Sequence, residues 1–226
     1  MILPRKDEEG NYYISYSQVT SWKKSPRSYM REYFFGEDDT KAFLKPYGEF
    51  GTKLGESLEH NDFSGWTDKE VEFLKTIPRF DEFEREIKLQ MSGYYIKGYI
   101  DTNTLAYKEE DGIKKELVKV IADYKTGEIE KRISDYESDN YIQIPIYAAG
   151  VEAQTGSLPE EAYVYLVQRD GNAFAKEELT LGDRFVTIPK VINRDIVDKA
   201  VSECDRVAKE ISKHYQVYLK LNEVLL

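Results

Sequence analysis

The chain has a single cysteine, Cys204, no excess of positive charge, and no long apolar run. One cysteine excludes an intramolecular disulfide, a four-cysteine zinc site and a four-cysteine iron–sulfur cluster. It fits a reducing compartment, and a cytoplasmic location is expected. No window approaches the roughly 20 apolar residues of a membrane-spanning helix, so no membrane partner is expected. The opening Met-Ile-Leu-Pro-Arg-Lys-Asp-Glu-Glu-Gly turns charged at once and lacks the apolar core of a signal peptide. Internal repeats, low-complexity tracts and linkers rich in Pro, Gly or Ser are missing too, which predicts one domain over residues 1–226. With 42 acidic residues against 32 basic ones, the net charge is −10. A nucleic-acid binder usually carries a basic footprint. Any phosphate contact here must come from local patches, helped by bound divalent cations.

What is present is a globular composition. The 226 residues are 41% hydrophobic and include 18 Tyr and 10 Phe, enough to build a core. Residues 12–35 read as a helical pair, with Ser15 or Ser17 capping the first helix and Pro26 opening the second. Residues 37–47 read as a charged loop. Helices follow over about Gly48 to Asn61 and about Asp68 to Thr76, completing a helical segment over about 12–76. The period then drops to two. Glu84 to Met91 alternates as a strand, Ser92-Gly93 makes a two-residue turn, and Tyr94 to Asp101 is the partner strand. A turn at Glu109 to Gly112 leads to a third strand, Glu116 to Tyr124. This strand is apolar from Leu117 to Ala122 apart from Lys119, as expected of a central strand buried on both faces. A helix over Tyr141 to Gln154, a strand over Ala162 to Gln168, a strand or hairpin within Ala173 to Ile188, and a long helix over about 192–218 close the chain. The order predicts an α/β fold, a mixed central β-sheet flanked by helices.

Asp123 and Lys125 stand two apart on one strand, so both side chains leave the same face. Asp101 ends the neighbouring hairpin strand. Two carboxylates at close range raise one another's pKa unless a cation lies between them. Lys125 is one such cation, and oxygen donors at a sheet edge also describe a magnesium site. An isolated Asp-x-Lys is most simply a salt bridge ending a strand. Charges placed beside a central apolar strand are costly to bury, which favours a functional reason for the trio.

Gly98-Tyr99-Ile100-Asp101, then Ile121-Ala122-Asp123-Tyr124-Lys125-Thr126-Gly127, then Tyr141-Ile142-Gln143-Ile144-Pro145-Ile146-Tyr147 resembles the PD-(D/E)XK nuclease superfamily, RecB-like branch. The similarity runs from about residue 14 to residue 153. It implies a restriction-endonuclease-like core and a metal-dependent deoxyribonuclease leaving 5′-phosphate ends. A Mg2+ or Mn2+ ion would be held by Asp101, Asp123 and the Tyr124 carbonyl, and Lys125 would act on the attacking water. Gln143 and Tyr147, four apart on one helix face, would position the DNA backbone or the surroundings of Lys125. The family's helix reads G-x-x-x-H-x-x-x-E, with the His as a ligand. Gly51, Gly55 and Glu59 fall in that frame, so Gly55 stands where the His belongs. Glu59 is the preferred substitute. His60, rotated about 100° from it, serves only in a different register and is most simply a helix-end histidine. Ser25-Pro26-Arg27-Ser28-Tyr29 matches the segment in which relatives carry an iron–sulfur cysteine, with Ser25 in its place, so no cluster is expected.

Lys23, Lys24, Arg27 and Arg31 interleave with Trp22 and Tyr29 as single-strand binders do, and Lys131 and Arg132 follow the Lys125 strand. These are the candidate DNA contacts, each alternatively a solvated face. The expected partner is DNA, at an end or as a single strand, with a homo-oligomer or a recombination partner protein as further possibilities. The role expected is an exonuclease in recombination, repair or phage DNA metabolism. The alternatives are a structure-specific endonuclease and an inactive nuclease fold that binds DNA or assembles with other proteins.

Overall fold

The computed structural model describes residues 1–37, 45–110 and 113–225, and places a six-stranded mixed sheet between two layers of helices. The expected α/β class and flanked mixed sheet are what it contains. The chain order is β1 (Tyr13–Ser15), α1 (Tyr16–Lys24), α2 (Pro26–Tyr33), α3 (Lys45–His60), α4 (Asp68–Leu74), β2 (Glu82–Met91), β3 (Tyr94–Glu110), β4 (Ile113–Gly127), α5 (Ile129–Glu137), α6 (Gln143–Thr155), β5 (Glu161–Asp170), β6 (Thr180–Pro189) and α7 (Arg194–Leu225). No described helix is long and apolar enough to cross a membrane.

Local chemistry sets most of these boundaries. Ser15 accepts the Gln18 N–H to cap α1, Ser25 accepts the Ser28 N–H to cap α2, and Pro26 takes the first turn of α2 where its missing N–H costs nothing. Thr67 and Glu70 form a reciprocal capping box on α4. Gly93 turns the β2–β3 hairpin at φ +81, a conformation that side chains with a Cβ avoid. Three differences from the sequence pattern stand out. Residues 13–15 form a short strand, residues 129–137 form a helix where only a chain following β4 was expected, and β3 runs on well past Asp101. Most of the charged loop expected over 37–47, and the centre of the turn expected at 109–112, lie outside the described residues.

The sheet order is β1-β3-β4-β5-β6, with β2 on the other edge of β3. One core lies between the sheet and α1, α2, α5, α6 and α7, and includes Ile87, Ile96, Ile100, Ile121, Val164 and Leu166. The second lies under α3 and α4, and includes Ala122, Tyr124, Tyr165 and Val167. Strand β4 feeds both, as a central strand should. Helix α6 is apolar nearly all round because it is held between the sheet and α7, with every residue from Gln143 to Val151 buried. It approaches β2 so closely at Gly150 that a Cβ there would lie 2.5 Å from Ile87 Cβ.

Strand β3 has three partners. Its first half pairs with β2 on one side and, at Tyr95 to Lys97, with the parallel β1 on the other. Its second half pairs with the antiparallel β4, from Thr102 opposite Ala122 onward. Between these two pairings the chain Gly98 to Asp101 has no strand on that side among the described residues. Strand β4 leaves β3 there and continues beside β5 alone. This opening is a wedge in the sheet.

The packing predicts opposite signs for two glycine substitutions. Gly150→Ala should destabilise by about 1–3 kcal/mol through overpacking against Ile87. Gly48→Ala, with nothing within 4 Å of its new Cβ, should stabilise α3 by up to about 1 kcal/mol. Denaturant midpoints of the two variants against the parent measure both.

Candidate active site

The wedge gathers the three charged residues that the sequence singled out. Asp123 and Lys125 leave β4 on the same face, and the Lys125 ammonium lies 2.5 Å from Asp123 Oδ2. The Asp123 side chain is 0% exposed, whereas that of Lys125 is 26% exposed. A buried carboxylate needs several donors, and α6 with its approach supplies them. Gln143 Nε2 donates to Asp123 Oδ1 at 2.8 Å, and the Tyr141 hydroxyl lies 2.9 Å from Asp123 Oδ2. The second Gln143 amide hydrogen reaches the Tyr147 hydroxyl at 2.6 Å. Tyr141 also lies 2.8 Å from Gln143 Oε1, and its one phenolic hydrogen serves only one of these two acceptors at a time. Gln143 and Tyr147 are therefore brought to the site as their spacing predicts. Gly98 makes room for Tyr147, since a Cβ on it would come 2.8 Å from the Tyr147 ring.

Asp101 stands at the point where β4 departs. Its Oδ2 accepts the Tyr124 backbone N–H at 2.7 Å, so a side chain replaces the ladder bond that the diverging strands have lost. Burial, and then the Asp123 carboxylate, push the Asp101 carboxyl up to about 7. Burial pulls the Lys125 ammonium down, but the Asp123 and Asp101 charges outweigh it and hold it above the ordinary lysine range. Burial, followed by the Asp123 charge, keeps the hydroxyls of Tyr141 and Tyr147 firmly protonated.

Three cavities meet these residues. Two, of about 540 and 570 Å3, are lined in part by Lys125 and Gln143. The third, of about 460 Å3, lies against α3 and is lined by Asp101, Tyr124, Gly55, Glu56, Glu59, His60 and Glu84. Glu59 points there from α3 with 28% of its side chain exposed. His60 is the last residue of the helix and is 64% exposed. All the carboxylates here are hard oxygen donors of the kind that magnesium and manganese take. Among the described residues, no group of three His, Cys, Asp or Glu side chains converges closely enough to hold a metal ion as it stands.

The DNA-contact candidates scatter. Arg132 lines the 540 Å3 cavity beside Lys125, paired at 3.0 Å with Asp135. Lys131 pairs with Glu128, Lys23 with Glu203 of α7, and Arg31 with Glu37. Lys24 and Arg27 are exposed. None of these five lines a cavity that Lys125 lines. Trp22 is core, its indole donating to Glu210.

Three neighbours of the site had no role assigned from the sequence: Tyr141, which opens the third motif segment, and Tyr16 and Glu84, which lie outside the motifs. Tyr16 opens α1, packs edge-on to Tyr141 and lines both cavities that Lys125 lines. Glu84 was within reach, because the Ser92-Gly93 turn fixes a register that sets it opposite Asp101. Its φ of +49 was not. Burial, then the Glu59 charge, raise the Glu84 carboxyl above its ordinary range.

No family model matches the chain, and no curated protein matches it. Among solved structures, the chain is similar to a crystal structure from Eubacterium rectale described as a "Putative exonuclease". Identity is 14% and the TM-score 0.47, over 96% of this chain and 87% of that one.

The Asp101 environment has a consequence for stability. Its carboxyl titrates near 7 when folded and near 3.9 when unfolded. The unfolded state therefore releases its proton first, and folding loses stability as pH rises from about 4 through 7. Asp101→Asn keeps an acceptor for the Tyr124 N–H without the charge. It should match the parent near pH 4 and become progressively more stable than the parent as pH rises toward 8, read from urea unfolding across that range. A pH-independent difference would contradict this.

Proposed function

We propose that this protein is a divalent-metal-dependent DNA phosphodiester hydrolase of the PD-(D/E)XK kind, acting at strand ends. The observation that supports this best is the wedge itself. A lysine that lines two cavities is held by a buried carboxylate, next to a second carboxylate whose pKa is raised by burial and by the charge of the first. The three sequence segments resembling the superfamily place the same residues in the same order.

A divalent ion fits the donor chemistry, since an added positive charge relieves the repulsion that raises Asp101. Asp101, Asp123 and the Tyr124 carbonyl would hold it, with Glu59 the better placed of the two α3 candidates and Glu84 an additional carboxylate on the same cavity. When bound, such an ion polarises a phosphate oxygen and lowers the pKa of a water. Lys125, kept protonated by Asp123, would stabilise the negative charge that builds on the phosphate during attack. Gln143 and Tyr141 act through Asp123: by holding both of its oxygens they fix where the Lys125 ammonium sits. The expected products carry 5′-phosphate and 3′-hydroxyl ends.

A second reading has one observation in its favour. Both Asp123 oxygens are already engaged, and Gly55 stands where relatives carry a ligand, which suits a fold that binds DNA without cutting it. Incubation with linear and closed circular DNA, with Mg2+, Mn2+ or EDTA, separates the readings. The expected result is metal-dependent loss of linear substrate only, reduced at least about a thousandfold in Asp101→Ala and Lys125→Ala. Nicking of closed circles would make it an endonuclease, and no cleavage by the parent would favour the binding fold.

Gly55 offers a further check on the metal. A Cβ there meets nothing within 4 Å, so an imidazole has room beside Glu59 and Asp101. Gly55→His should tighten Mn2+ binding at least about tenfold by calorimetry. Unchanged affinity would place the ion elsewhere.

A further inference from the structure

The two cavities that Lys125 lines share Tyr16, Thr20, Lys125 and Gln143. They therefore form one trough running to either side of the lysine. Its first arm, between β1, the start of α1 and β3, is lined by Arg5, Tyr13, Lys97, Tyr99 and Tyr147. The described residues lining this arm carry three cations (Arg5, Lys97 and Lys125) and no carboxylate. That is unusual in a chain of net charge −10. Arg5 makes no ion pair among the described residues, and its guanidinium sits 5.3 Å from the Tyr33 ring. Lys97 pairs with Glu86 at 2.9 Å and lies 5.3 Å from the ring of Tyr99, which is 43% exposed. The second arm carries Asn140 and Arg132, the latter paired at 3.0 Å with Asp135, which lines the same arm. Most of the acids near Lys125 line the third cavity instead: Glu56, Glu59, Glu84 and Asp101.

We propose that this trough is a binding channel for a single nucleic-acid strand. Arg5 and Lys97 hold backbone phosphates, and Tyr99 stacks on a base on one side of Lys125, while Arg132 contacts the strand on the other. The proposal deepens the hydrolase reading and rests on it for the meaning of Lys125. The chemistry favours a strand over a duplex. Cations beside an exposed tyrosine ring, that of Tyr99, are what a flexible strand with accessible base faces recognises, and each arm has a volume suited to a few small groups. The acidic cavity repels phosphates, which confines the strand to the cationic side.

The test is fluorescence anisotropy of a labelled oligothymidylate and of a duplex of equal length, in EDTA so that cleavage plays no part. The parent should prefer the single strand. Arg5→Ala and Tyr99→Ala should each weaken binding of the strand about tenfold, and Arg5→Ala should also lower the slope of log affinity against log salt by about one. Tyr99→Phe, which keeps the ring, should bind as the parent does. So should Lys199→Ala on the exposed face of α7. Preference for duplex, or strand binding unmoved by Arg5→Ala and Tyr99→Ala, overturns the proposal. Cleavage by the parent with no effect of these variants on binding would leave the hydrolase reading standing and remove the channel. Channel-dependent binding without cleavage under any metal would do the reverse.

Discussion

The Asp123 carboxylate, fully buried in the middle of the sheet, is the constraint around which this region is organised. An ion removed from water costs several kcal/mol unless it is compensated. Here the compensation is specific: one ammonium, one amide and one phenol, each from a different point in the chain. Lys125 must therefore follow two residues later on β4, and α6 must begin where Gln143 faces the strand. The approach to α6 must also carry Tyr141. Apolar packing alone would tolerate α6 sliding by a turn, but the hydrogen bonds to Asp123 would not. The polar cluster fixes the register of the helix against the sheet, while Gly150 and Gly98 let it come close enough.

The wedge follows from the same requirement. Strand β4 cannot pair with β3 and also present Asp123 and Lys125 to α6 and α1, so the ladder ends at Thr102. Asp101 takes over the lost backbone bond with its side chain. Its environment then raises its own pKa, a local instability that a purely structural site has no reason to keep. The arrangement joins a fully buried, hydrogen-bonded carboxylate to a titratable one across a single strand boundary.

Much of this was legible in the residues. The β2–β3 hairpin, the apolar run of β4, the cap of α1, Pro26 at the start of α2 and the Gln143–Tyr147 pair on α6 are local patterns, and local patterns survive folding. What escaped was non-local. Strand β1 is three residues long and exists only because β3 offers a free edge to Tyr13, Ile14 and Ser15. Helix α5 was passed over beside the motif that precedes it. The left-handed Glu84 is imposed by its surroundings, since nothing in Phe-Glu-Arg asks for a positive φ. Net charge pointed away from phosphate recognition because it averages over the surface, whereas the fold gathers Arg5, Lys97 and Lys125 around one cavity with no carboxylate in its lining. The run from Lys23 to Arg31 shows the converse: Lys23 is spent on α7 and Arg31 on a local pair, while Lys24 and Arg27 are exposed away from the cavities at Lys125.

Strand β1 also bears on how the molecule is assembled. Its pairing with β3 joins Tyr13 to Tyr95, and the Trp22 indole bonds to Glu210 near the far end of the chain. Such contacts close very long loops, whose entropy must be met before any contact energy is returned. The hairpin and β4 can form among themselves, but the wall that completes the wedge arrives only with the N-terminal segment. That segment in turn packs against α7, almost two hundred residues further along. The Lys125 neighbourhood is thus enclosed only once β1 and α1 have docked, and without them its charged residues lack the wall that would make them act together.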